Sequence, residues 1–133
     1  MKNRILTILL LLSFTLVSNI SYSQANLTIE NNSKRTMTVK VMKGTGVGDL
    51  FETVTISAFG RSTIYFSESG YYFTKTKAVL SGRDPIYRKG EAFEVTNDSR
   101  GYSVLTLTFS ITESSVPRAT GGKQISKTEF DKN

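Results

Sequence analysis

Strict alternation of apolar and polar side chains late in the chain is the feature that most limits how it can fold. In the stretch "VLTLTFSIT", Leu105, Leu107, Phe109 and Ile111 occupy every second position, with Thr or Ser between them. Because successive side chains of a strand point to opposite faces, this period of two predicts a β-strand with one buried face.

The same alternation recurs in shorter segments, whereas helical periodicity is hard to find. It predicts about seven strands, at residues 26–30, 36–43, 50–58, 62–67, 71–80, 91–96 and 102–112. Turn-forming clusters such as "ENNSKR", "GTGVGD" and "NDSRG" separate them. Short strands at this spacing predict an all-β fold, an antiparallel β-sandwich of immunoglobulin-like architecture over residues 24–112.

The N-terminal segment has the layout of an export signal. Lys2 and Arg4 precede a mostly apolar run of 13 residues, 5–17, and a polar stretch follows. Ser21 and Ser23 supply the small residues that a signal peptidase requires, so we expect a signal peptide over residues 1–23 that is cleaved after Ser23. The apolar run is shorter than the ~20 residues that span a bilayer. No comparable run follows it, and we expect no transmembrane segment after cleavage.

Composition indicates the compartment and the charge of a partner. The chain contains no cysteine, although small exported eukaryotic domains commonly rely on disulfides, so we expect an exported bacterial protein, periplasmic or secreted. The formal charge is +6, and removal of Lys2 and Arg4 with the signal leaves 15 basic and 11 acidic residues, a charge of +4. This excess favours acidic partners such as an acidic glycan or a protein of the cell envelope. Export argues against nucleic acid.

The last part of the chain differs from the rest in composition. Residues 113–133 contain Pro117, the pair Gly121 and Gly122, charges of both signs and few apolar residues. Such a composition buries too little apolar surface to offset the entropy lost on ordering. It predicts a flexible, disordered tail.

The absence of two residue types excludes much catalytic chemistry. The chain has no histidine and no cysteine, so neither a Ser-His-Asp nor a Cys-His nucleophile system can form. The usual zinc, copper and iron sites depend on the same residues. We therefore expect no metal, no cofactor and no enzymatic activity.

Carboxylate pairs are the one remaining route to hydrolysis, because two suitably placed carboxyl groups can cleave glycosides. The candidates are Asp49 with Glu52 and Glu91 with Glu94, each pair separated by three positions. On a strand this spacing places the two side chains on opposite faces, which does not suit a shared substrate. The sequence favours solvated surface charges at these positions.

The stretch "GYYFTKTKAVL" contains the candidate binding residues. Regular alternation places Tyr71, Phe73, Lys75 and Lys77 on one face. Lysine is seldom buried without a partner, so this face would carry exposed rings beside exposed ammonium groups. Two alternatives stay open: a β-bulge after Phe73 would bury the rings, and the lysines could protect a sheet edge from aggregation.

Three functional hypotheses follow, in decreasing order of preference. The first is an exported, non-catalytic binding or accessory module of a bacterial cell envelope. The second is a structural subunit of a surface assembly that uses strand addition at a sheet edge or through the tail. The third is a carboxylate-dependent enzyme acting on glycans.

Overall fold

The structure, a computed structural model, describes residues 24–133, so the predicted signal peptide lies outside the described residues. The described chain is mostly β and ends in one short helix. The elements are β1 (Asn26–Asn32), β2 (Thr36–Lys43), β3 (Asp49–Ile56), β4 (Arg61–Tyr65), β5 (Gly70–Val79), β6 (Ile86–Lys89), β7 (Phe93–Val95), β8 (Asn97–Asp98), β9 (Gly101–Tyr102), β10 (Val104–Thr112), β11 (Arg118–Ala119), β12 (Lys123–Gln124) and α1 (Lys127–Asp131).

Two main sheets organise the domain. The four-stranded sheet has the order β11-β10-β1-β4, and the six-stranded sheet has the order β12-β6-β5-β2-β3, with β7 also paired to β5. β8 and β9 form a separate hairpin. β1 and β10 run parallel, unlike the antiparallel pairing expected throughout. They lie far apart in sequence and are joined through the rest of the domain, which is the type of connection that a parallel pair requires.

One hydrophobic core draws on both main sheets. Its buried members are Ala25, Leu27, Ile29, Ile64, Phe66 and Phe109 from or beside the four-stranded sheet and Met37, Val39, Val41, Ile56, Tyr72, Ala78 and Val95 from or beside the six-stranded sheet. We call the face of the six-stranded sheet that carries these side chains its inner face and the opposite one its outer face. Full burial of the valine, leucine, isoleucine, methionine and phenylalanine side chains in this core contributes roughly 1.5–3 kcal/mol each.

A β-bulge brings an additional ring into this core. The pairing of β2 with β3 shifts between Val41 and Met42, so Phe51 is the extra residue on β3. The Phe51 ring stacks on Phe66 with centroids 5.4 Å apart and meets Tyr72 edge-on at 5.5 Å. The bulge therefore redirects a side chain of an edge strand inwards.

The alternation pattern predicts most of the long strands well. Segment 36–43 is confirmed at both ends, and the ends of the other predicted segments differ from the observed strands by at most two residues. β6 is missing from the prediction, because its short sequence follows Pro85 and shows no clear alternation. Pro85 immediately precedes the strand, a position where the lack of an N–H group removes no ladder hydrogen bond.

Residues 113–133 differ from the predicted disordered tail. They contain β11, β12 and α1, which pair with or pack against β10, β6 and β5. Ile125 and Phe130 are 7% and 5% exposed, and Gly121 and Gly122 allow close contact rather than free motion. A side-chain carbon at Gly122 would overlap the carbonyl oxygen of Lys89, and one at Gly121 would overlap the ring of Phe109.

A buried ion pair holds the start of this C-terminal segment. The Arg35 side chain is fully buried, and its Nε and Nη2 donate to the two carboxylate oxygens of Glu113 at 2.9 and 3.0 Å. Its Nη1 donates to the carbonyls of Ala78 at 3.2 Å and Asp84 at 2.8 Å. The Arg35 guanidinium holds the pKa of Glu113 below its ordinary value of 4.5. One side chain thus joins the turn before β2, the strand β5, the loop after β5 and the segment after β10.

The turn between β3 and β4 contains an unusual residue. Phe59 has a φ of 58° and is the only non-glycine residue with positive φ among residues 24–133. Its ring is 67% exposed. A bulky residue in this left-handed conformation costs about 1–2 kcal/mol.

Gly122→Ala should destabilise the domain more than Gly82→Ala. Gly122 and Gly82 have φ values of +92° and +81°, so alanine meets similar backbone strain at both positions. Only at Gly122 would the added Cβ atom also clash with the carbonyl oxygen of Lys89. We expect the Gly122 variant to lose at least about 2 kcal/mol more in urea unfolding. Equal losses would show that residues 121–124 do not need this close approach.

Glu113→Gln should destabilise the folded state by about 3 kcal/mol at neutral pH, because it leaves the buried Arg35 charge without its counter-charge. The wild-type stabilisation is present above pH 4.5 and is lost as pH falls through the lowered pKa of Glu113. The difference between wild type and variant should therefore shrink in acid. Unfolding free energies measured from pH 7 to pH 3 test this, with the exposed Glu94→Gln as the control; a difference independent of pH would contradict it.

Candidate binding site

The structure separates the four residues that the sequence places on one binding face. Tyr71 is 51% exposed and Lys77 is half-buried, whereas Phe73 and Lys75 are 1% and 4% exposed. The four side chains therefore do not form an open stripe.

Phe73 and Lys75 are buried because other segments cover the sheet, and not because of a β-bulge in β5. The pairing of β5 with β2 runs without a shift from Thr36 opposite Val79 to Lys43 opposite Tyr72. Regular alternation thus holds, and Phe73 and Lys75 lie on the outer face as expected. The C-terminal segment packs over that face and covers Lys75, and the loop between β2 and β3 lies over the ring of Phe73.

Lysines of the sheet bind the end of α1. Lys75 Nζ donates to the carbonyls of Glu129, at 3.1 Å, and Lys132. Lys40 Nζ, opposite Lys75 on β2, donates to the Phe130 carbonyl and to Asn133 Oδ1, both at 2.9 Å. The last turn of α1 has no basic residue of its own. The two sheet lysines supply the positive charge that stabilises the C-terminal end of a helix.

Aromatic contacts reinforce this docking. The Phe130 ring packs 5.6 Å from the ring of Tyr87, and Lys40 Nζ lies 4.6 Å from its centroid. Lys89 Nζ lies 4.9 Å from the centroid of Phe73. Each such cation–π contact contributes about 0.5–2 kcal/mol. A second, smaller apolar layer therefore lies outside the main core.

A cleft of about 530 Å³ lies between α1 and the glycine-rich loop that joins β2 to β3. We call it the outer cleft; its lining residues are Gly46, Val47, Phe73, Lys75, Lys89, Ser126, Thr128, Glu129 and Lys132. The loop fits closely over Phe73, since a side-chain carbon at Gly48 would lie 2.7 Å from the ring. The volume is within the range of ~300–1,000 Å³ typical of small-ligand sites.

The outer cleft carries an excess of positive charge. Three lysines line it, Lys75, Lys89 and Lys132, against the single carboxylate of Glu129, which is 3.8 Å from Lys89 Nζ. Burial, together with the charges of Lys40 and Lys89, lowers the pKa of Lys75 below its usual 10.5, although Glu129 acts in the opposite direction. An anion in the cleft would offset this repulsion between like charges.

The carboxylates considered for glycan hydrolysis lie apart from this site. Asp49, Glu52, Glu91 and Glu94 are all exposed, and only Glu91 lines one of the larger surface clefts. Over residues 24–133, no three His, Cys, Asp or Glu side chains come together in a way that could hold a metal ion. In the same range, no helix has the length and apolar character needed to cross a membrane.

Sequence reasoning missed Lys89 and Glu129, because it placed neither in a regular element. One signal for α1 was available. The run Ser126 to Glu129 has the form S-x-x-E, and Ser126 Oγ accepts a hydrogen bond from the Glu129 backbone N–H at 3.1 Å. This pattern is a capping box, which marks the start of a helix.

Comparison of the sequence with models of protein families gives no match, and comparison with curated proteins gives no significant match.

Phe130→Ser should raise the pKa of Lys75 towards 10.5. Removal of the ring that anchors α1 would return water to the Lys75 ammonium, whose burial is the largest cause of the lowered pKa. Titration of the lysine side chains by NMR measures the change. Val116→Ser, at a residue 74% exposed in the same C-terminal segment, is the matched control and should leave the Lys75 pKa unchanged.

Proposed function

We propose that the mature chain is an exported, non-catalytic binding module of a bacterial cell envelope, built as a two-layer β-sandwich of immunoglobulin-like architecture. Its ligand is an acidic glycan that binds in the outer cleft. The observation that carries this proposal is the surplus of lysine over carboxylate around a cleft of suitable volume.

The chemistry of the lining suits a sugar that bears a carboxylate or a sulfate. Lys89 keeps 23% of its side chain exposed and can meet the acidic group. Ser126 and Thr128 are exposed and offer hydroxyl groups, and Glu129 offers an acceptor for sugar hydroxyls. The apolar Val47, 79% exposed on the loop, forms part of the opposite wall.

An exposed ring extends this surface. Tyr71 lies two positions before Phe73 on the outer face of β5, a separation of about 7 Å along a strand. Its carbonyl accepts a hydrogen bond from the Gly44 N–H at 2.7 Å, which ties Tyr71 to the loop bordering the cleft. A second sugar unit could stack on this ring. Of the four residues chosen from the sequence, Tyr71 thus keeps a direct role, Lys75 contributes charge and Phe73 supports the floor. The fourth, Lys77, does not line the outer cleft and has no part in the proposal.

Strand addition is the second candidate function, and the free edge of β3 is the observation in its favour. β3 ends the order of the six-stranded sheet. Because of the bulge at Phe51, the uninterrupted part of the β3 ladder is limited to residues 52–56. The C-terminal segment is already paired with β6 and β10 of its own chain, so the edge of β3 is the better site for such a partner.

Titration of the mature chain, starting at Gln24, with a short oligogalacturonate tests the binding proposal. We expect saturable binding by calorimetry, with no heat from a neutral cello-oligosaccharide. Lys89→Ala should weaken binding about tenfold, because it removes a charged hydrogen-bond donor. Tyr71→Ala should weaken it by a smaller factor.

Lys34→Ala is the matched control, since it removes the same charge from an exposed position on the turn between β1 and β2. If the Lys34 and Lys89 substitutions weakened glycan binding equally, the binding would be non-specific attraction between opposite charges. Equal affinity for the neutral oligosaccharide would show that binding does not depend on the acidic group of the sugar.

A further inference from the structure

A second cleft, lined by arginines, lies where β6 and β12 of the larger sheet approach β11 of the smaller one. It has a volume of about 400 Å³, and we call it the arginine cleft; its lining residues are Arg35, Gly82, Arg83, Asp84, Pro85, Ile86, Arg88, Ser115, Pro117, Ala119 and Gln124. We infer that the arginine cleft binds a small monoanionic carboxylate through Arg88.

The alternation of β6 directs Arg88 into this cleft. Arg88 stands opposite Thr76 on β5, while its neighbour Lys89 stands opposite Lys75. Thr76 shares the inner face with the core residues Tyr72 and Ala78. Consecutive residues of one short strand thus serve the two clefts, Lys89 the outer cleft and Arg88 the arginine cleft.

Arg88 has little to bind within the protein. A guanidinium carries five N–H bonds, and the one hydrogen bond of the Arg88 side chain is from Nη2 to the Gly122 carbonyl. Its Nε is buried without a partner, and so is Oγ1 of Thr76 directly across the ladder. These two are the only buried side-chain polar atoms without a partner among residues 24–133. Buried donors and acceptors rarely stay unpaired, because each costs about 1–3 kcal/mol.

The side chains around the cleft leave one positive charge in surplus. Glu113 pairs with Arg35, and the carboxylate of Asp84 also lines the cleft, next in sequence to Arg83. None of the ion pairs in the described chain includes Arg83 or Arg88. Of these two arginines, only Arg88 has a buried donor without a partner. One surplus positive charge fits one negative charge, and the planar fork of arginine matches a carboxylate with two parallel hydrogen bonds.

Titration with sodium acetate at constant ionic strength, set with sodium chloride, tests this inference on the mature chain. We expect the Arg88 Nε–H signal in ¹⁵N NMR spectra, assigned by backbone-linked experiments, to shift and saturate with acetate. The signal of Arg100, whose side chain is 85% exposed, should not shift. Sodium sulfate, a tetrahedral dianion, should bind more weakly.

Two variants separate the arginine cleft from the outer cleft. Arg88→Lys keeps the charge and the aliphatic stem but loses the fork, and should weaken acetate binding at least tenfold. Lys89→Ala should leave acetate binding at Arg88 unchanged. The variant therefore distinguishes a loss of glycan binding in the outer cleft from a loss of acetate binding in the arginine cleft. If Arg88→Lys fails to fold, the wild-type titration decides the question. A linear shift without saturation, an equal shift at Arg100, or an equal response to chloride would overturn the inference.

Discussion

The burial of Arg35 is the constraint on which the rest of the structure depends. A guanidinium cannot enter a protein interior without partners for its charge and its donors. Arg35 finds them in Glu113 and in the carbonyls of Ala78 and Asp84. Glu113 follows β10 directly, so this pair sets where the C-terminal segment leaves the four-stranded sheet. From that point the segment supplies residues to both clefts, Ser115 and Pro117 to one and Ser126 and Glu129 to the other.

The two clefts lie on opposite faces of the six-stranded sheet, because consecutive residues of β6 point to opposite faces. On the outer face, Lys75 and Lys89 lie together and are neutralised only in part by Glu129 and by the carbonyls of α1. On the inner face, Arg88 occupies a position that an apolar side chain would normally fill, and its neighbour across the ladder is Thr76. Polar residues on the buried side of a strand cost stability unless they find a partner. A role in binding is one reason for a sheet to hold them.

The parts of this fold that sequence reasoning predicted are those governed by local alternation, and the parts it missed depend on distant contacts. β2 and β10 show the period of two clearly, and the outward direction of Lys75 follows from the same period. No local pattern shows that Phe130, fifty-seven positions after Phe73, packs on the same face. Gly121 and Gly122 indicate flexibility by composition alone, yet here they allow backbones to touch. The S-x-x-E pattern at Ser126 was the local sign of α1, but a helix of five residues shows no period.

The left-handed backbone of Phe59 has a consequence for the domain as a whole. A glycine would occupy that turn without steric conflict, and a phenylalanine ring that is 67% exposed contributes little packing in return. The domain therefore does not sit at the optimum of its own thermodynamic stability. The turn is therefore the first place to look for substitutions that stabilise the domain. It lies outside the hydrophobic core and does not line the outer or the arginine cleft.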